Sequence, residues 1–275
     1  MNSQYITLSD GLRLHYLVAG DEAAPPLVLL HGYPMSCQLW RHCIPPLAEH
    51  YRVYVPDLPG HGRSSKPLTV DYDLDFYDHV LTDLFDALGL DRFRLVAHDL
   101  GVTATLAFAT RHQDRLEQLV LMDSAPYADW PAANVRAVRM AAHPVTSRAL
   151  LPAPVFRRTL QNVGFYNNDV FTPAISEMYR AHWTLDRASR RAFRHVIAPP
   201  PEQVAVPVER LRALNVPTLV LWAEKDRILG VDIARRLHAD LPQSTLVTVP
   251  DCGHFVPEEK PATVTQHLQA FLNGR

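Results

Sequence analysis

The sequence predicts an α/β fold: a mostly parallel sheet of eight strands, covered by helices on both faces. Short apolar runs of strand length alternate with segments of helical periodicity along most of the chain. Several of these runs are apolar without alternation, as expected of strands that are buried on both faces of a parallel sheet. The chain of 275 residues is long enough to form such a sheet with its covering helices.

Eight stretches have the character of strands. The first two, residues 4–9 and 13–19, are joined by Asp10-Gly11, a dipeptide typical of a hairpin turn. The other six end in polar or glycine-containing turns and are, in chain order, PPLVLLHG, YRVYVPD, FRLVAHD, LEQLVLMD, VPTLVLWAEKD and STLVTVPDCGH. Their separation by helical segments favours parallel pairing.

Helical periodicity is clearest at residues 73–88 and in the C-terminal stretch PATVTQHLQAFL. Residues 102–112 are also predicted to be helical, and a further helix is expected between the last two strands. These helices supply the two layers that cover the sheet.

One region breaks the alternation of strands and helices. Residues 127–212 contain no good strand, and their apolar and aromatic side chains recur at mostly helical spacing. We interpret this segment as a helical cap, or lid, over one edge of the sheet. The core domain is then formed by residues 1–126 and 213–275.

The composition argues against several classes of partner. The formal net charge is −2 and no dense run of Lys or Arg occurs, so nucleic acids and anionic membranes are not expected partners. No apolar run approaches the ~18 residues of a membrane span, and the N-terminus does not resemble a signal peptide. We therefore expect a cytoplasmic protein whose partners are a small-molecule substrate and water.

Cofactor chemistry is not indicated either. The three cysteines, Cys37, Cys43 and Cys252, have no metal-type spacing, and the 14 histidines are scattered without a ligand cluster. The sequence therefore predicts neither a metal nor an organic cofactor, and it leaves the oligomeric state open.

Polar residues follow the predicted parallel strands at the points where the strands end. In open α/β sheets, ligands bind outside these carboxyl ends. The residues in such positions are His31, Asp57, Asp99, Asp123, Asp226 and, just past the last strand, His254. Their coincidence is the main functional signal in the sequence.

The stretch AHDLG, residues 97–101, has the pattern of a nucleophile elbow. The small residues Ala97 and Gly101 let strand and helix approach closely, so that the turn exposes Asp99. The Leu100 amide then lies at a helix N-terminus, and the Tyr33 amide of HGYP can face it to complete an oxyanion hole. Taken alone, AHDLG is equally consistent with an aspartate that caps a helix.

Together HGYP, DLPGHGRS, AHDLG, AEKD and DCGHF resemble the α/β-hydrolase fold, and they cover nearly the whole chain outside the lid. An elbow aspartate preceded by histidine is similar to the branch of epoxide hydrolases and of haloalkane or haloacetate dehalogenases. The resemblance implies that Asp99 is the nucleophile and His254 the base. Asp226 is the expected acidic partner of His254, and Asp123 is the alternative.

The resemblance implies hydrolysis of a small, largely apolar electrophile through an alkyl ester on Asp99. Epoxide opening is expected first and carbon–halogen cleavage second, because the aromatic residue Tyr33 is more similar to epoxide hydrolases, whereas dehalogenases often have Asn or Glu at this position. Leu100 replaces the tryptophan that many enzymes of both kinds carry. Candidate substrate-binding residues are Tyr179, Trp183, Tyr127 and His98. Two other functions stay open: ester or lactone hydrolysis with Asp99 as base, and ligand binding without catalysis.

Overall fold

The computed structural model describes residues 1–130 and 132–274, and its centre is one sheet of eight strands. The strands are β1 (Asn2–Thr7), β2 (Arg13–Ala19), β3 (Pro26–Leu30), β4 (Arg52–Pro56), β5 (Phe93–His98), β6 (Leu116–Met122), β7 (Thr218–Ala223) and β8 (Ser244–Val249). Their spatial order is β1-β2-β4-β3-β5-β6-β7-β8. The order in space differs from the order in the chain only at β3 and β4, because β4 lies between β2 and β3, and β3 lies next to β5.

The sheet is antiparallel at one edge and parallel elsewhere. The hairpin of β1 and β2 is antiparallel, β2 also pairs antiparallel with β4, and the remaining neighbours are parallel. The predicted mostly parallel, eight-stranded α/β fold is thereby confirmed. The central strands β3 and β5 are buried nearly throughout, which agrees with their uninterrupted apolar sequences.

Thirteen helices occur in the described residues. They are α1 (Ile44–Leu47), α2 (Leu74–Ala87), α3 (Leu100–Ala109), α4 (Ala132–Ala142), α5 (Pro144–Leu150), α6 (Ala153–Gly164), α7 (Pro173–Thr184), α8 (Arg187–His195), α9 (Pro201–Val204), α10 (Val208–Arg212), α11 (Val231–Asp240), α12 (Val256–Glu259) and α13 (Pro261–Leu272). Helices α4–α10 lie between β6 and β7, and we call them the helical insertion. None of the helices in the described ranges is long and apolar enough to cross a membrane.

Helix α3 begins at Leu100, two residues before the predicted start, because Asp99 occupies the position immediately before the first helical turn. Nine of its ten residues are buried, since it packs between the sheet and α2. Helix α2 is capped by Asp73, the residue before its first turn, whose side chain accepts a hydrogen bond from the Phe76 amide. The two helices hold the end of β5 in a fixed position.

Asp57, one of the polar residues at a strand end, organises the turn after β4. Its Oδ1 accepts the Cys37 amide at 2.8 Å, and its Oδ2 accepts the Arg63 amide at 2.9 Å and lies 2.7 Å from His15 Nδ1. A Cβ added to Gly62, which has φ +48°, would lie 2.1 Å from the carboxylate. The motif DLPGHGRS therefore has a structural role in this protein.

Gly101 offers a test of the close packing around α3. Its added Cβ would lie 2.6 Å from the His31 carbonyl oxygen and 2.9 Å from that of Leu30. We expect Gly101→Ala to lower the free energy of unfolding by about 1–3 kcal/mol, because backbone atoms must move. Urea-induced unfolding of the variant and the wild type measures this loss.

Gly230→Ala is the matched control, since nothing lies within 4 Å of its added Cβ and its φ of −61° suits alanine. Its free energy of unfolding should stay within about 0.5 kcal/mol of the wild type. Equal stability losses in the two variants would contradict the packing argument.

Candidate active site

Asp99 stands on a strained turn between β5 and α3. Its backbone has φ 52° and ψ −121°, a conformation that non-glycine residues rarely adopt. Its amide donates to the Met122 carbonyl at 3.0 Å, and its carbonyl accepts the Ser124 hydroxyl at 2.8 Å. These bonds to the end of β6 hold the turn, so that the side chain projects beyond the edge of the sheet.

Glycine at position 32 is required by the position of the carboxylate. A Cβ added to Gly32 would lie 2.4 Å from both Asp99 Oδ1 and Asp99 Cβ. No rotation of a larger side chain removes this overlap, because the clash involves its first carbon atom. The glycine of HGYP therefore gives the Asp99 side chain the space that it occupies.

Two backbone amides approach the carboxylate. The Tyr33 amide donates to Asp99 Oδ1 at 2.7 Å, and a hydrogen bond from the Leu100 amide adds to the effects of His254 and His98 that lower the pKa of Asp99. Asp99 Oδ1 therefore occupies the position in which an oxyanion on this carboxyl carbon would be stabilised. These are the two amides that the sequence predicted for an oxyanion hole.

His254 lies on the other side of the carboxylate. Its Nε2 is 3.5 Å from Asp99 Oδ2, and its Nδ1 is 2.8 Å from Asp226 Oδ2. The other oxygen of Asp226 accepts the amides of Ile228 and Leu229. The His254 side chain is 2 % exposed, whereas that of Asp99 is 21 % exposed, so the carboxylate has the more accessible surface of the two.

The electrostatics couple Asp99 to His254. Burial alone would raise the pKa of Asp99, but the hydrogen bond and the charge of His254 outweigh burial and lower it. Burial alone would lower the pKa of His254, but Asp226 and Asp99 outweigh burial and raise it well above its ordinary value. At neutral pH the two side chains therefore form an ion pair of carboxylate and imidazolium.

Asp123, the alternative acidic residue, is not bonded to His254 among the described contacts. It lies at the end of β6 with φ 44°, is fully buried, and accepts the Ala223 amide at 2.9 Å. Burial, and then the charge of Asp226, raise the pKa of the Asp123 carboxyl well above its ordinary value. The structure thus places Asp226 against His254, with Asp123 at the end of the neighbouring strand.

His98 supports the loop of His254 instead of facing a substrate. Its Nε2–H donates to the His254 carbonyl at 2.8 Å, and the two rings are 4.9 Å apart. Burial, and then the charge of His254, lower the pKa of His98 to about 4. His98 is therefore neutral, and its donor group is already used within the protein.

Two side chains of the helical insertion that we expected to bind substrate have their polar groups engaged elsewhere. The Tyr179 hydroxyl donates to Glu258, and the Trp183 Nε1–H donates to the Pro34 carbonyl at 2.8 Å. Trp183 remains close to the candidate site through its ring, whose centroid is 5.8 Å from that of Tyr33. Neither polar group is free to bind a leaving group in this arrangement.

Tyr127 is bonded to α11. Its hydroxyl donates to Asp240 of α11 at 2.9 Å, and the guanidinium of Arg236 stands 3.7 Å from the centre of its ring. These contacts fasten the first residues after β6 to α11. They give Tyr127 a structural role, in contrast to the predicted contact with substrate.

Two glutamates in the sequence FVPEE join the insertion to the core, and sequence reasoning missed both. Glu258 pairs with Arg41 and accepts the Tyr179 hydroxyl. Glu259 accepts the amides of Gly253, Tyr166 and Asn167 at 3.0, 3.1 and 2.7 Å. The only sequence signal was the pair of acidic residues directly after DCGHF.

Two tyrosine hydroxyls near Asp99 were also missed. The hydroxyls of Tyr33 and Tyr77 are buried and have no hydrogen-bond partner among the described residues. Burial raises the pKa of both well above the ordinary value. The charge of Asp99 adds to the shift of Tyr33, and Tyr72 and then Asp99 add to the shift of Tyr77. Both groups therefore stay protonated near the carboxylate.

Among the described residues, one group combines three side chains of metal-ligand type within 4.8 Å, namely His15, Cys37 and Asp57. Both oxygens of Asp57 already accept hydrogen bonds. Burial, and then the charge of Asp57, raise the pKa of the Cys37 thiol, which keeps it protonated. The group has the properties of a structural hydrogen-bonded cluster.

The geometry has a counterpart in known proteins. The sequence pattern described as the alpha/beta hydrolase fold matches residues 25–261, which include Tyr33, the turn at Asp99, Asp226 and His254. The chain belongs to the α/β-hydrolase fold family. The helical insertion lies within the matched range, between β6 and β7.

Similar proteins include hydrolases of two reaction classes. A soluble epoxide hydrolase from Corynebacterium sp. (strain C12) is 30% identical over 277 residues, covering 96% of this chain and 94% of that protein. Haloalkane dehalogenase 2 from Mycobacterium tuberculosis is 30% identical over 262 residues, covering 90% and 87%. The crystal structure of Cfl2 from Burkholderia cenocepacia has a TM-score of 0.85 at 28% identity, covering 98% and 95%.

We expect His254 to stabilise the fold in a pH-dependent way. Because the pKa of His254 is raised in the folded state, its stabilisation is complete below its unfolded pKa of about 6.5 and is lost as the pH rises through the folded pKa. The free energy of unfolding of the wild type, relative to His254→Gln, should therefore decrease with increasing pH. Urea-induced unfolding at a series of pH values measures the difference.

The series is confined to values above about pH 5, where Asp99 stays ionised because its folded pKa is lowered. His50→Gln, at an exposed position, provides the reference for the substitution itself. A difference between wild type and His254→Gln that grows with pH would contradict the ion pair.

Proposed function

We propose that this α/β-hydrolase acts on a small electrophile through a covalent alkyl ester on Asp99. One observation carries the proposal: Asp99 Oδ1 is bound by the Tyr33 amide, while Oδ2 lies 3.5 Å from His254 Nε2. A serine needs its histidine to remove a proton before it attacks, but a carboxylate is already ionised. The lowered pKa of Asp99 supports this state at neutral pH.

In the first half-reaction, Oδ2 attacks an sp³ carbon of the substrate. A carbon–oxygen bond forms to Asp99 as the bond to the leaving oxygen or halogen breaks, and the leaving atom keeps the bonding electron pair. The unattacked oxygen, Oδ1, remains on the amides and becomes the carbonyl oxygen of the ester. The product of this step is an alkyl ester of the protein.

Alkylation changes the charge next to His254. The ester of Asp99 is neutral, so one of the two carboxylates that raise the pKa of His254 is lost. The imidazolium then releases its proton more easily, and an epoxide-derived alkoxide needs one proton to become a hydroxyl group. The attack on substrate thus converts His254 into the base that the next step requires.

In the second half-reaction, neutral His254 removes a proton from water, and the water oxygen attacks the carboxyl carbon of the ester. The oxyanion that forms on Oδ1 is stabilised by the amides of Tyr33 and Leu100. Asp226 holds the His254 tautomer and stabilises its positive charge. Collapse of the intermediate releases the alcohol and restores the Asp99 carboxylate.

Epoxide opening is the reaction that the tyrosines support best. An alkoxide that leaves carbon needs a hydrogen-bond donor, and the unpartnered hydroxyls of Tyr33 and Tyr77 are buried near Asp99. The Trp183 N–H, which we expected to bind a halide, is engaged by the Pro34 carbonyl. Carbon–halogen cleavage is the second candidate, supported by the 30% identity to haloalkane dehalogenase 2.

Replacing the base should trap the covalent intermediate. We expect His254→Gln to form the ester with an epoxide or a haloalkane but to hydrolyse it slowly, because no base activates water. Intact-protein mass spectrometry, followed by peptide mapping, should show one adduct on Asp99. Release of diol or of halide by the wild type then identifies the reaction class.

Asp99→Asn combined with His254→Gln is the matched control, and it should form no adduct. Absence of an adduct from every epoxide and haloalkane tested would contradict the proposal. Turnover of esters or lactones without an adduct would instead assign Asp99 the role of a base.

The two unpartnered tyrosines should assist epoxide opening. We expect Tyr33→Phe and Tyr77→Phe to slow ester formation from an epoxide by about tenfold or more each, because the developing alkoxide loses a donor. The rate of adduct formation in the His254→Gln background measures this step alone. Tyr5→Phe, at an exposed position on β1, is the control, and rates equal to it in both variants would contradict the assignment.

A further inference from the structure

Asp123 is a buried carboxyl group that the reaction scheme does not use. It is fully buried at the end of β6 and has φ 44°, in the region that non-glycine residues rarely adopt. Its Oδ1 accepts the Ala223 amide at 2.9 Å. Its Oδ2 is buried and has no hydrogen-bond partner among the described residues.

Asp123 and Asp226, the partner of His254, follow the neighbouring parallel strands β6 and β7, and the charge of Asp226 acts on the Asp123 carboxyl. Two ionised carboxylates close together, and away from water, repel each other strongly. A single proton between them removes the repulsion and also gives Asp123 Oδ2 a hydrogen bond. The pair then carries one negative charge in total.

The hydrogen bonds decide which partner holds this proton. Asp226 receives three donors, from His254 Nδ1 and from the amides of Ile228 and Leu229. Asp123 receives one, from Ala223. Because donors stabilise the ionised form, the negative charge belongs on Asp226 and the proton on Asp123. Burial, and then the charge of Asp226, raise the pKa of Asp123 well above its ordinary value, in agreement with this assignment.

We propose that Asp123 is a protonated positioning residue, which donates a hydrogen bond to Asp226 and takes over its negative charge when Asp226 is neutralised. The hydrogen bond fixes the carboxylate that orients His254. In Asp226→Asn, Asp123 loses its ionised neighbour and can itself become ionised. The kinetic part of the test rests on the proposed function, whereas the titration of His254 does not.

The titration of His254, followed by NMR of the imidazole protons, is the first test. The signal is assigned by its loss in His254→Gln. We expect the pKa of His254 to stay above the ordinary value of about 6.5 in the wild type and in Asp226→Asn. In the double variant Asp123→Asn with Asp226→Asn, which has neither charge, the pKa should fall by at least one unit. A full fall already in Asp226→Asn would overturn the proposal.

Hydrolysis of the Asp99 ester is the second test. We expect about a tenfold loss of rate in Asp226→Asn and a loss approaching ~10⁴-fold in the double variant, the effect of replacing a triad acid by an amide. Asp251→Asn is the matched control, because Asp251 has a similar backbone, φ 49°, but an exposed side chain. Equal losses in Asp226→Asn and the double variant would overturn the proposal.

If Asp226→Asn does not fold, two substitutions at position 123 test the hydrogen bond from Asp123 to Asp226 instead. In Asp123→Asn, the amide N–H can replace the O–H that Asp123 directs at Asp226, whereas Asp123→Leu has a similar volume and no donor. We expect ester hydrolysis by Asp123→Leu to be at least tenfold slower than by Asp123→Asn, with a lower His254 pKa. Equal rates and equal pKa values in these two variants would overturn the role of the hydrogen bond.

Discussion

The close approach of two backbone segments, residues 30–33 and 97–101, at the Asp99 carboxylate is the constraint on which this site depends. Asp99 keeps a positive φ, and the chain at Gly32 and Gly101 comes so near that a Cβ at either position would overlap its surroundings. The same closeness brings the Tyr33 amide to 2.7 Å from Asp99 Oδ1. The strained turn is held between the sheet and the buried helix α3, so the fold itself determines the position of the Asp99 carboxylate.

The buried charges of Asp99 and His254 are a second feature on which the site depends. Burial opposes the charges of Asp99 and His254. His254 sustains the charge of Asp99, and Asp226 together with Asp99 sustains the charge of His254. When one member of such a pair is neutralised, the pKa of the other member changes. Esterification of Asp99 is a chemical neutralisation of this kind, so one arrangement of side chains serves both halves of the proposed reaction without a conformational change.

The sequence predicted the core of the site better than its surroundings. Asp99, His254 and the two amides follow from local motifs, because a turn of fixed shape connects each motif to a strand. The choice between Asp226 and Asp123 did not follow, since both end neighbouring strands and only side-chain direction separates them. Tyr179 and Trp183 find partners 79 and 149 positions away in the chain, and helical periodicity carries no information about such contacts.

Glu259 joins the loop of His254 to the helical insertion. One carboxylate holds the amide next to His254 and also the amides of Tyr166 and Asn167 in the helical insertion. This end of the insertion and the loop of His254 therefore share one anchor. A substitution that removes the Glu259 carboxylate would release both segments together.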